Sequence, residues 1–249
     1  IDVGSVSVNA VAIDRHQSVL FEAPYVRHLG KVEETTRALT CSLFDRFGRD
    51  RLRSLGFTGA HGQRLSEKLG TFYEFETISQ VLGVMAVVPD ARSIISMGGQ
   101  DTSLYVVDHF DDAWELVYFN SNGPCAAGTG SFIDQQAERL ATATYENALR
   151  VSQERIDSVL SDFIELGLKS RHPAGVACRC TVFTKSDMIH LQNRGERLED
   201  IIYGLHMGNA RNYVSTIVGN RILDEPIVLV GGLSLNTLQV KALLQFFPT

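Results

Sequence analysis

SMGGQDTS, from Ser96 to Ser103, runs from the end of an apolar segment into a glycine turn that carries an acidic residue. Two further turns of small residues follow apolar segments, DVGS at residues 2–5 and GGLS at residues 231–234. Glycine lets backbone N–H groups approach phosphate oxygens closely. A single turn of this kind is more often only a tight turn, but three in this order predict an α/β protein that binds nucleotide phosphates.

The turns supply the candidate catalytic and nucleotide-binding residues. Asp2 and Asp101 stand beside the first two turns, where a carboxylate could hold Mg²⁺ through water ligands, and Gln100 precedes Asp101. These three are the candidate catalytic residues. The candidate ligands of ATP are the small residues Gly4, Ser5, Gly98, Gly99, Gly128, Thr129, Gly130, Gly231 and Gly232. A Rossmann site and a P-loop are excluded, because no G-x-G-x-x-G opens a helix and the Walker A lysine motif is missing.

The rest of the chain predicts two lobes that begin alike. Apolar residues within 6–21 flank a polar turn and predict a hairpin, and Thr35–Phe47 has helical spacing. After the Gly98 turn, residues 104–107 and 116–119 predict a second hairpin around the polar segment 108–115. We therefore expect an N-terminal lobe over residues 1–89 and a second lobe over residues 90–249.

Composition and charge exclude several classes of protein. The 249 residues are 44% hydrophobic, and 23 basic against 29 acidic residues give a net charge of −6, without the basic stripe that nucleic acid binding requires. No apolar run approaches the roughly 20 residues that span a bilayer, and no signal segment opens the chain. We expect a soluble cytoplasmic protein with no nucleic acid or membrane partner. Because the sequence starts inside a predicted strand and stops soon after a Gly-Gly turn, we also expect both ends to be truncated.

Four longer strings carry a family resemblance. They are NGPCAAGTGSF at residues 122–132, SMGGQDTS at 96–103, CTVFTKSDMI at 180–189 and VGGLSLN at 230–236. With them the chain resembles the BadF/BadG/BcrA/BcrD ATPase family, within the superfamily of acetate and sugar kinases, heat-shock chaperones and actin. The resemblance implies a two-lobed actin-like ATPase fold, of the duplicated ribonuclease H-like type, that closes over ATP and Mg²⁺. It also implies an ATP-dependent activator of a 2-hydroxyacyl-CoA dehydratase or a benzoyl-CoA reductase.

The four cysteines are too few for a disulfide framework in a chain of this length. Cys125 and Cys180 each stand close before a helical pattern, where the helix dipole favours a thiolate, although buried core thiols are the alternative. The resemblance implies that these two are ligands of a 4Fe-4S cluster, completed by a homodimer partner or a second family domain. Cys178 remains an alternative ligand to Cys180 or a bystander. Cys41 is predicted to be a buried structural thiol on the apolar face of a helix.

The resemblance extends to a mechanism and partners. It implies that ATP hydrolysis changes the angle between the lobes, and that the helices after Cys125 and Cys180 transmit this movement to the cluster. The cluster would then pass one electron, received from a ferredoxin or flavodoxin, to an acyl-CoA dehydratase or reductase. Members of the family usually carry Lys where this chain has Asn9 and Ser103, so the resemblance implies either slower ATP hydrolysis here or another cation that takes the place of these lysines. A sugar or carboxylate kinase and a non-hydrolysing nucleotide-binding module of a larger activase remain the alternatives.

Other residues have two interpretations each. Glu76 matches a family glutamate before the connecting helix, but it also suits a helix start. Residues 195–200 would pack on adenosine by resemblance, or form a solvated helix start. The segment Gly128–Gly130 either packs a helix beside a cluster cysteine or cradles phosphates. His61 departs from the family pattern and is assigned no role.

Overall fold

The computed structural model describes residues 1–111, 113–123, 128–144, 153–178 and 181–247. Proximity of Cα atoms divides the chain into two compact units, unit 1 (Ile1–Val87) and unit 2 (Val88–Thr249). None of the helices in the described ranges is both long and apolar enough to span a lipid bilayer.

Unit 1 combines short strands with three helices. Its strands are β1 (Asp2–Val3), β2 (Ser7–Asn9), β3 (Val11–Ile13), β4 (Val19–Glu22), β5 (Val26–Arg27), β6 (Gly56–Phe57) and β7 (Phe72–Tyr73). Its helices are α1 (Val32–Phe47), α2 (Gly62–Leu69) and α3 (Glu76–Val87). The sheet β1-β2-β5 is antiparallel throughout, and β3 with β4 forms the first predicted hairpin. Val3, Val8, Phe57 and Leu65 form a core cluster beneath the β1–β2 turn.

The buried residues of helix α1 show which of its sides faces the interior of unit 1. Thr36 and Leu43 are buried, and their separation of seven residues places them on the same side of a helix. Cys41 is exposed. It precedes Leu43 by two residues, which corresponds to a rotation of about 200° around the helix axis. The prediction that Cys41 is a buried structural thiol is therefore wrong.

Unit 2 contains a four-stranded sheet in the order β10-β9-β8-β11. Its strands are β8 (Ser93–Met97), β9 (Thr102–Phe110), β10 (Ala113–Ser121) and β11 (Ile227–Val230). β11 runs parallel to β8, whereas β9 is antiparallel to both of its neighbours. The second predicted hairpin is present, but its strands are longer than expected, because pairs such as Trp114 with His109 continue the ladder into the polar segment 108–115.

Three of the described helices of unit 2 pack against one central helix. The described helices are α4 (Gly130–Thr144), α5 (Gln153–Leu168), α6 (Thr181–Asn193), α7 (Leu198–Tyr213) and α8 (Thr237–Leu243). α7 packs against α5, α6 and α8 and continues into a π-helical turn, Val214–Val218. Ile201, Leu205, Ala210 and Tyr213 are fully buried around it. A helix that is buried on several sides belongs to the interior of a domain, so α7 is the core element of unit 2.

Candidate functional site

The β1–β2 turn of unit 1, Asp2–Ser5, is the first of the predicted phosphate turns. The Gly4 N–H donates to the Ser7 carbonyl at 2.9 Å and closes the turn. Beside it, the Val3 N–H donates to the Thr58 carbonyl at 2.9 Å. Backbone hydrogen bonds therefore hold the turn from within and from the neighbouring segment, and they fix the backbone that carries Asp2.

The Asp2 carboxyl is poorly satisfied within the protein. Burial raises its pKa above the ordinary value, while a hydrogen bond from the Asn9 side chain acts in the opposite direction. Asp2 Oδ1 is buried and has no hydrogen-bond partner in the part of the chain that the structure describes. Burying an unpaired carboxylate oxygen costs free energy, and a cation or its bound water would remove that cost. Asp2 thus fits the predicted role in holding Mg²⁺.

Gly59 makes a close approach to this acid that the sequence did not reveal. Its φ of +85° is unfavourable for any residue with a side chain. A Cβ on Gly59 would collide with Asp2 Oδ1 and would lie 2.7 Å from the Val3 carbonyl oxygen. The structure shows that the absence of a side chain here leaves the room that the Asp2 carboxylate occupies.

The second predicted turn, Gly98–Asp101, joins β8 to β9 in unit 2. The Gly98 N–H donates to the Asp101 carbonyl at 2.8 Å. Asn122 braces the same turn, because its Oδ1 accepts from the Thr102 N–H at 2.8 Å and its Nδ2 donates to the Gln100 carbonyl at 3.2 Å. Gln100 and Asp101 themselves are exposed. The turn therefore holds its backbone with internal bonds and leaves both predicted catalytic side chains accessible.

Residues 128–130 dock directly onto that turn. The Gly130 and Ser131 N–H groups, at the start of α4, donate to the carbonyls of Gly98 and Gly99 at 2.9 and 2.8 Å. Thr129 is fully buried. Of the two interpretations of this segment, the bonds support helix packing for Gly130, because its N–H is already used by another loop. A direct phosphate contact from Gly128 or Thr129 remains a prediction.

The third predicted turn, Gly231–Gly232, follows β11 and meets the second turn. The carboxyl ends of β8 and β11 lie side by side, since Val230 pairs with Ser96. Gly231 has a φ of +89°, and a Cβ there would lie 2.7 Å from the Met97 carbonyl carbon and 3.0 Å from the Gly98 nitrogen. The three loops of unit 2 that the sequence singled out are therefore in mutual contact at one end of the sheet.

A buried hydrogen-bonded chain connects the third turn to α7. His206 on α7 is fully buried, with Nδ1 2.9 Å from the Ile202 carbonyl oxygen and Nε2 3.2 Å from Asn236 Nδ2. Asn236 Oδ1 accepts the Leu238 and Gln239 N–H groups at 3.1 and 3.0 Å and so caps α8. Because Asn236 Oδ1 is used in the cap, its Nδ2 must donate to His206. Nε2 is then the acceptor, and Nδ1–H donates to Ile202, which requires a neutral imidazole.

Lowering the pH from 7 to 4 should decrease the free energy of unfolding through this histidine. Burial lowers the pKa of His206 to about 4, whereas the unfolded side chain titrates at its ordinary value of 6.5. The stabilisation from the neutral ring is complete above pH 6.5 and is lost as the pH falls towards 4, by about 3 kcal/mol. Urea unfolding followed by circular dichroism across this range measures it. His206→Gln should lack this component, and the same pH slope in both proteins would contradict the assignment.

Asn9 and Ser103 are the two neutral residues at positions where the resemblance predicts lysine. The Asn9 amide bonds to Asp2 and lies 3.3 Å from Ser7 Oγ, so it serves the first turn as a polar partner. Ser103 is buried, and its carbonyl accepts the Tyr213 hydroxyl at 2.8 Å. Neither position supplies a cation to a phosphate. The expected effect on hydrolysis remains a prediction.

The two cysteines proposed as cluster ligands, Cys125 and Cys180, lie outside the described residues. α4 and α6 begin at Gly130 and Thr181, shortly after them, as the sequence predicts. Cys178 is buried, its Sγ lies 3.4 Å from the Leu205 carbonyl, and burial raises the pKa of its thiol to about 12. A thiol in that environment does not ionise readily, which favours Cys180 over Cys178. Within the described ranges, no group of three or more His, Cys, Asp or Glu side chains could hold a metal ion.

The remaining candidates have local partners. Glu76 begins α3 and accepts the Gln80 side-chain amide at 2.9 Å, which suits its interpretation as a helix-start residue. Arg197, just before α7, pairs with Glu199. The His61 ring packs edge-on against His28 with centroids 6.0 Å apart, within unit 1.

Comparison with known proteins identifies what the chain resembles as a whole. A family model described as the BadF/BadG/BcrA/BcrD ATPase family matches residues 1–246. A 2-hydroxyisocaproyl-CoA dehydratase activator from Clostridioides difficile is 30% identical over 65% of this chain and 53% of its own length. The (R)-2-hydroxyglutaryl-CoA dehydratase activating ATPase of Acidaminococcus fermentans is 30% identical over 71% of this chain and 60% of its own. The matched part thus spans less than two thirds of each of these curated relatives.

A solved structure extends the likeness to the fold. The activator of the 2-hydroxyisocaproyl-CoA dehydratase from Clostridium difficile, with bound ADPNP, superimposes with a TM-score of 0.79 and 25% identity. The alignment covers 100% of this chain and 84% of that one. The actin-like ATPase fold and the family resemblance predicted from the sequence are both confirmed.

Proposed function

The chain belongs to the BadF/BadG/BcrA/BcrD ATPase family, and on this premise we propose that it is an ATP-dependent activator of an acyl-CoA dehydratase or reductase. The observation that carries the proposal is the meeting of the Gly98, Gly128 and Gly231 loops at one end of the unit 2 sheet. Two of these loops follow the carboxyl ends of the neighbouring strands β8 and β11, and the third leads into α4. Together they form a surface suited to a nucleotide. The relative with bound ADPNP supports ATP as that nucleotide.

We assign the chemistry of hydrolysis to the acidic residues at the turns. Asp2 of unit 1, whose buried Oδ1 has no hydrogen-bond partner among the described residues, and the exposed Asp101 of unit 2 are each candidates for holding Mg²⁺ through its water ligands. The bound ion would neutralise charge that develops on the transferred phosphoryl group. Gln100 is accessible beside Asp101 and is the candidate for orienting the attacking water. The remaining small residues of the loops, Gly4, Ser5, Gly99 and Gly232, would admit phosphate oxygens close to the backbone.

We assign the coupled electron transfer to Cys125 and Cys180. They would provide two thiolates of a 4Fe-4S cluster, and a second copy of the chain or a second family domain would provide the other two. Such a cluster supplies a one-electron donor. The proposed partners are an acyl-CoA dehydratase or reductase as acceptor and a ferredoxin or flavodoxin as donor, in keeping with the activators among the relatives.

One anaerobic experiment tests both halves of the proposal. Iron content and ATP hydrolysis are measured together on the full protein after cluster reconstitution. We expect roughly two iron atoms per chain, lost in Cys125→Ala and Cys180→Ala but kept in the buried control Cys178→Ala. Iron-free wild-type protein would refute the cluster, and loss of iron in Cys178→Ala alone would reassign the ligand.

A second candidate function is a nucleotide-binding module that does not hydrolyse ATP. Asn9 and Ser103 favour it, because neither provides the positive charge that stabilises a phosphoryl transition state. ATP that binds and is recovered unchanged would support this module over the activator. A phosphorylated sugar or carboxylate as product would instead indicate a kinase.

A further inference from the structure

The C-terminal end of α7 contacts two of the three loops of the unit 2 site. The Tyr213 hydroxyl donates to the Ser103 carbonyl at 2.8 Å, at the end of the SMGGQDTS turn. Asn212 Nδ2 lies 3.5 Å from the position that a Cβ on Gly128 would take. Asn212 and Tyr213 are adjacent in the chain, so the last helical turn of α7 lies against both the second predicted phosphate turn and the segment 128–130.

The middle of α7 reaches the third loop through His206. Its hydrogen bond with Asn236 fixes the residue that ends the 3₁₀ turn Gly232–Leu235 and begins α8. The Ser234 N–H in that turn donates to the Gly231 carbonyl at 2.9 Å, and the Asn236 N–H donates to the Leu233 carbonyl at 3.1 Å. A short path of hydrogen bonds therefore runs from a core helix to the Gly231 turn.

The His206 interaction is specific to one protonation state and one residue type. The ring lies beside Phe163, with centroids 5.8 Å apart, and its described polar neighbours are the Ile202 carbonyl and the Asn236 amide. An apolar side chain at position 206 could fill the space but could not accept from Asn236. The buried Nδ2 of Asn236 would then lack its acceptor, and it could find another only if the Gly231 turn moved.

We propose that α7 positions the three loops for nucleotide binding, and that His206 is a positioning residue that acts through Asn236 on the Gly231 turn. The inference rests on the proposed nucleotide-binding function and deepens it. In this arrangement the nucleotide meets loops that the core of unit 2 has already ordered, so binding loses less conformational freedom than it would with a mobile loop.

The test compares Mg²⁺-ADPNP binding by the full protein and its variants with calorimetry at pH 7.5. His206→Ala removes the acceptor for Asn236, and we expect about a tenfold weaker affinity, comparable to losing one good hydrogen bond. His206→Gln can offer an amide oxygen to Asn236 and should recover most of that loss. Full affinity in the alanine variant, or a loss that the glutamine variant does not recover, would overturn the positioning role.

A double-mutant cycle separates positioning from general destabilisation. Asn236→Ser keeps an N-cap oxygen for α8 but is too short to reach His206. If the two residues act as one unit, His206→Ala adds little to the loss caused by Asn236→Ser, whereas independent additive losses would contradict the proposal. The matched control Ile201→Val shortens a fully buried side chain in the first half of α7, before His206, and should bind as the wild type does.

The outcomes also distinguish this inference from the proposed function. Wild-type protein that does not bind Mg²⁺-ADPNP would overturn the nucleotide-binding function itself, and the inference with it. If the wild type binds Mg²⁺-ADPNP but Ile201→Val weakens binding as much as His206→Ala does, the nucleotide-binding function holds and the positioning role of His206 is refuted. If His206→Ala does not fold, the comparison of His206→Gln with Asn236→Ser decides, because only the second should lose affinity.

Discussion

Asp2→Asn should decrease ATP hydrolysis by at least about a hundredfold while it increases the stability of the unliganded protein. Asparagine keeps the shape of the side chain and its hydrogen bond with Asn9, but it gives up the charge that would hold Mg²⁺. The same charge is costly without the ion, because Oδ1 of Asp2 is buried without a partner in the described structure. Removing that cost should stabilise the folded protein by about 1 kcal/mol at pH 7. Steady-state hydrolysis and urea unfolding measure the two effects.

The pH dependence of the free energy of unfolding tests whether the charge of Asp2 destabilises the unliganded protein. Because burial raises the pKa of Asp2, the cost of its charge appears as the pH rises from the ordinary value of 3.8 through the raised value. The stability advantage of Asp2→Asn should therefore vanish at lower pH, where both side chains are neutral. Mg²⁺ should stabilise the wild type and leave the variant unaffected. Asp90→Asn removes an exposed acid and should change neither property; an equal gain in that control would contradict the argument.

Much of the fold followed from local patterns in the sequence. The hairpins, the helix over Thr35–Phe47 and the buried strand before Gly98 were predictable, because each depends on apolar periodicity and turn residues close in sequence. Cys41 shows the limit of this information. Its apolar neighbours suggested burial, but the buried side of α1 is set by the strands against which it packs, and these contacts are not local.

The loops of the candidate site could be predicted from the sequence, but the residues that hold these loops in place could not. The turns around Asp2, Gly98 and Gly231 were identified because glycine and acidic residues mark them directly. Asn122, His206 and Gly59 carry no such signal, since each acts across a long sequence separation. Asn122 braces a turn about twenty residues earlier, and His206 meets Asn236 thirty residues later. Polar residues such as these are recognised only when the fold brings their partners together.

The contacts around each turn also explain why turns that look alike in sequence have different roles. In the second turn, backbone carbonyls of Gly98 and Gly99 accept bonds from the start of α4, so its glycines allow one loop to pack on another. In the first turn, the small residues lie beside an acid whose Oδ1 has no hydrogen-bond partner in the described part of the chain. Small residues at the second and third turns therefore build the surface, while the acids determine where an ion could be held.

Gly231→Ala should disrupt the surface on which the second and third turns meet. The residue has a φ of +89°, which costs an alanine about 1–2 kcal/mol, and its Cβ would press on the Met97 carbonyl and the Gly98 nitrogen. Together with the overpacking, we expect about 3 kcal/mol of lost stability in urea unfolding. The contact atoms are backbone, so relief requires one loop to shift. A shift of about 1 Å at a catalytic loop can reduce the rate of ATP hydrolysis about a hundredfold.

Gly219→Ala is the matched control, because Gly219 also has a positive φ, +64°, but no atom of the described residues lies within 4 Å of where its Cβ would be. It should lose only the conformational part, about 1–2 kcal/mol, and hydrolyse ATP within about twofold of the wild type. The difference between the two variants isolates the contact between the Gly231 turn and the SMGGQDTS turn from the general cost of an alanine at positive φ. Equal losses of hydrolysis in both variants would show that this contact does not order the site, and full activity in Gly231→Ala would show that the loops can separate without consequence for the nucleotide.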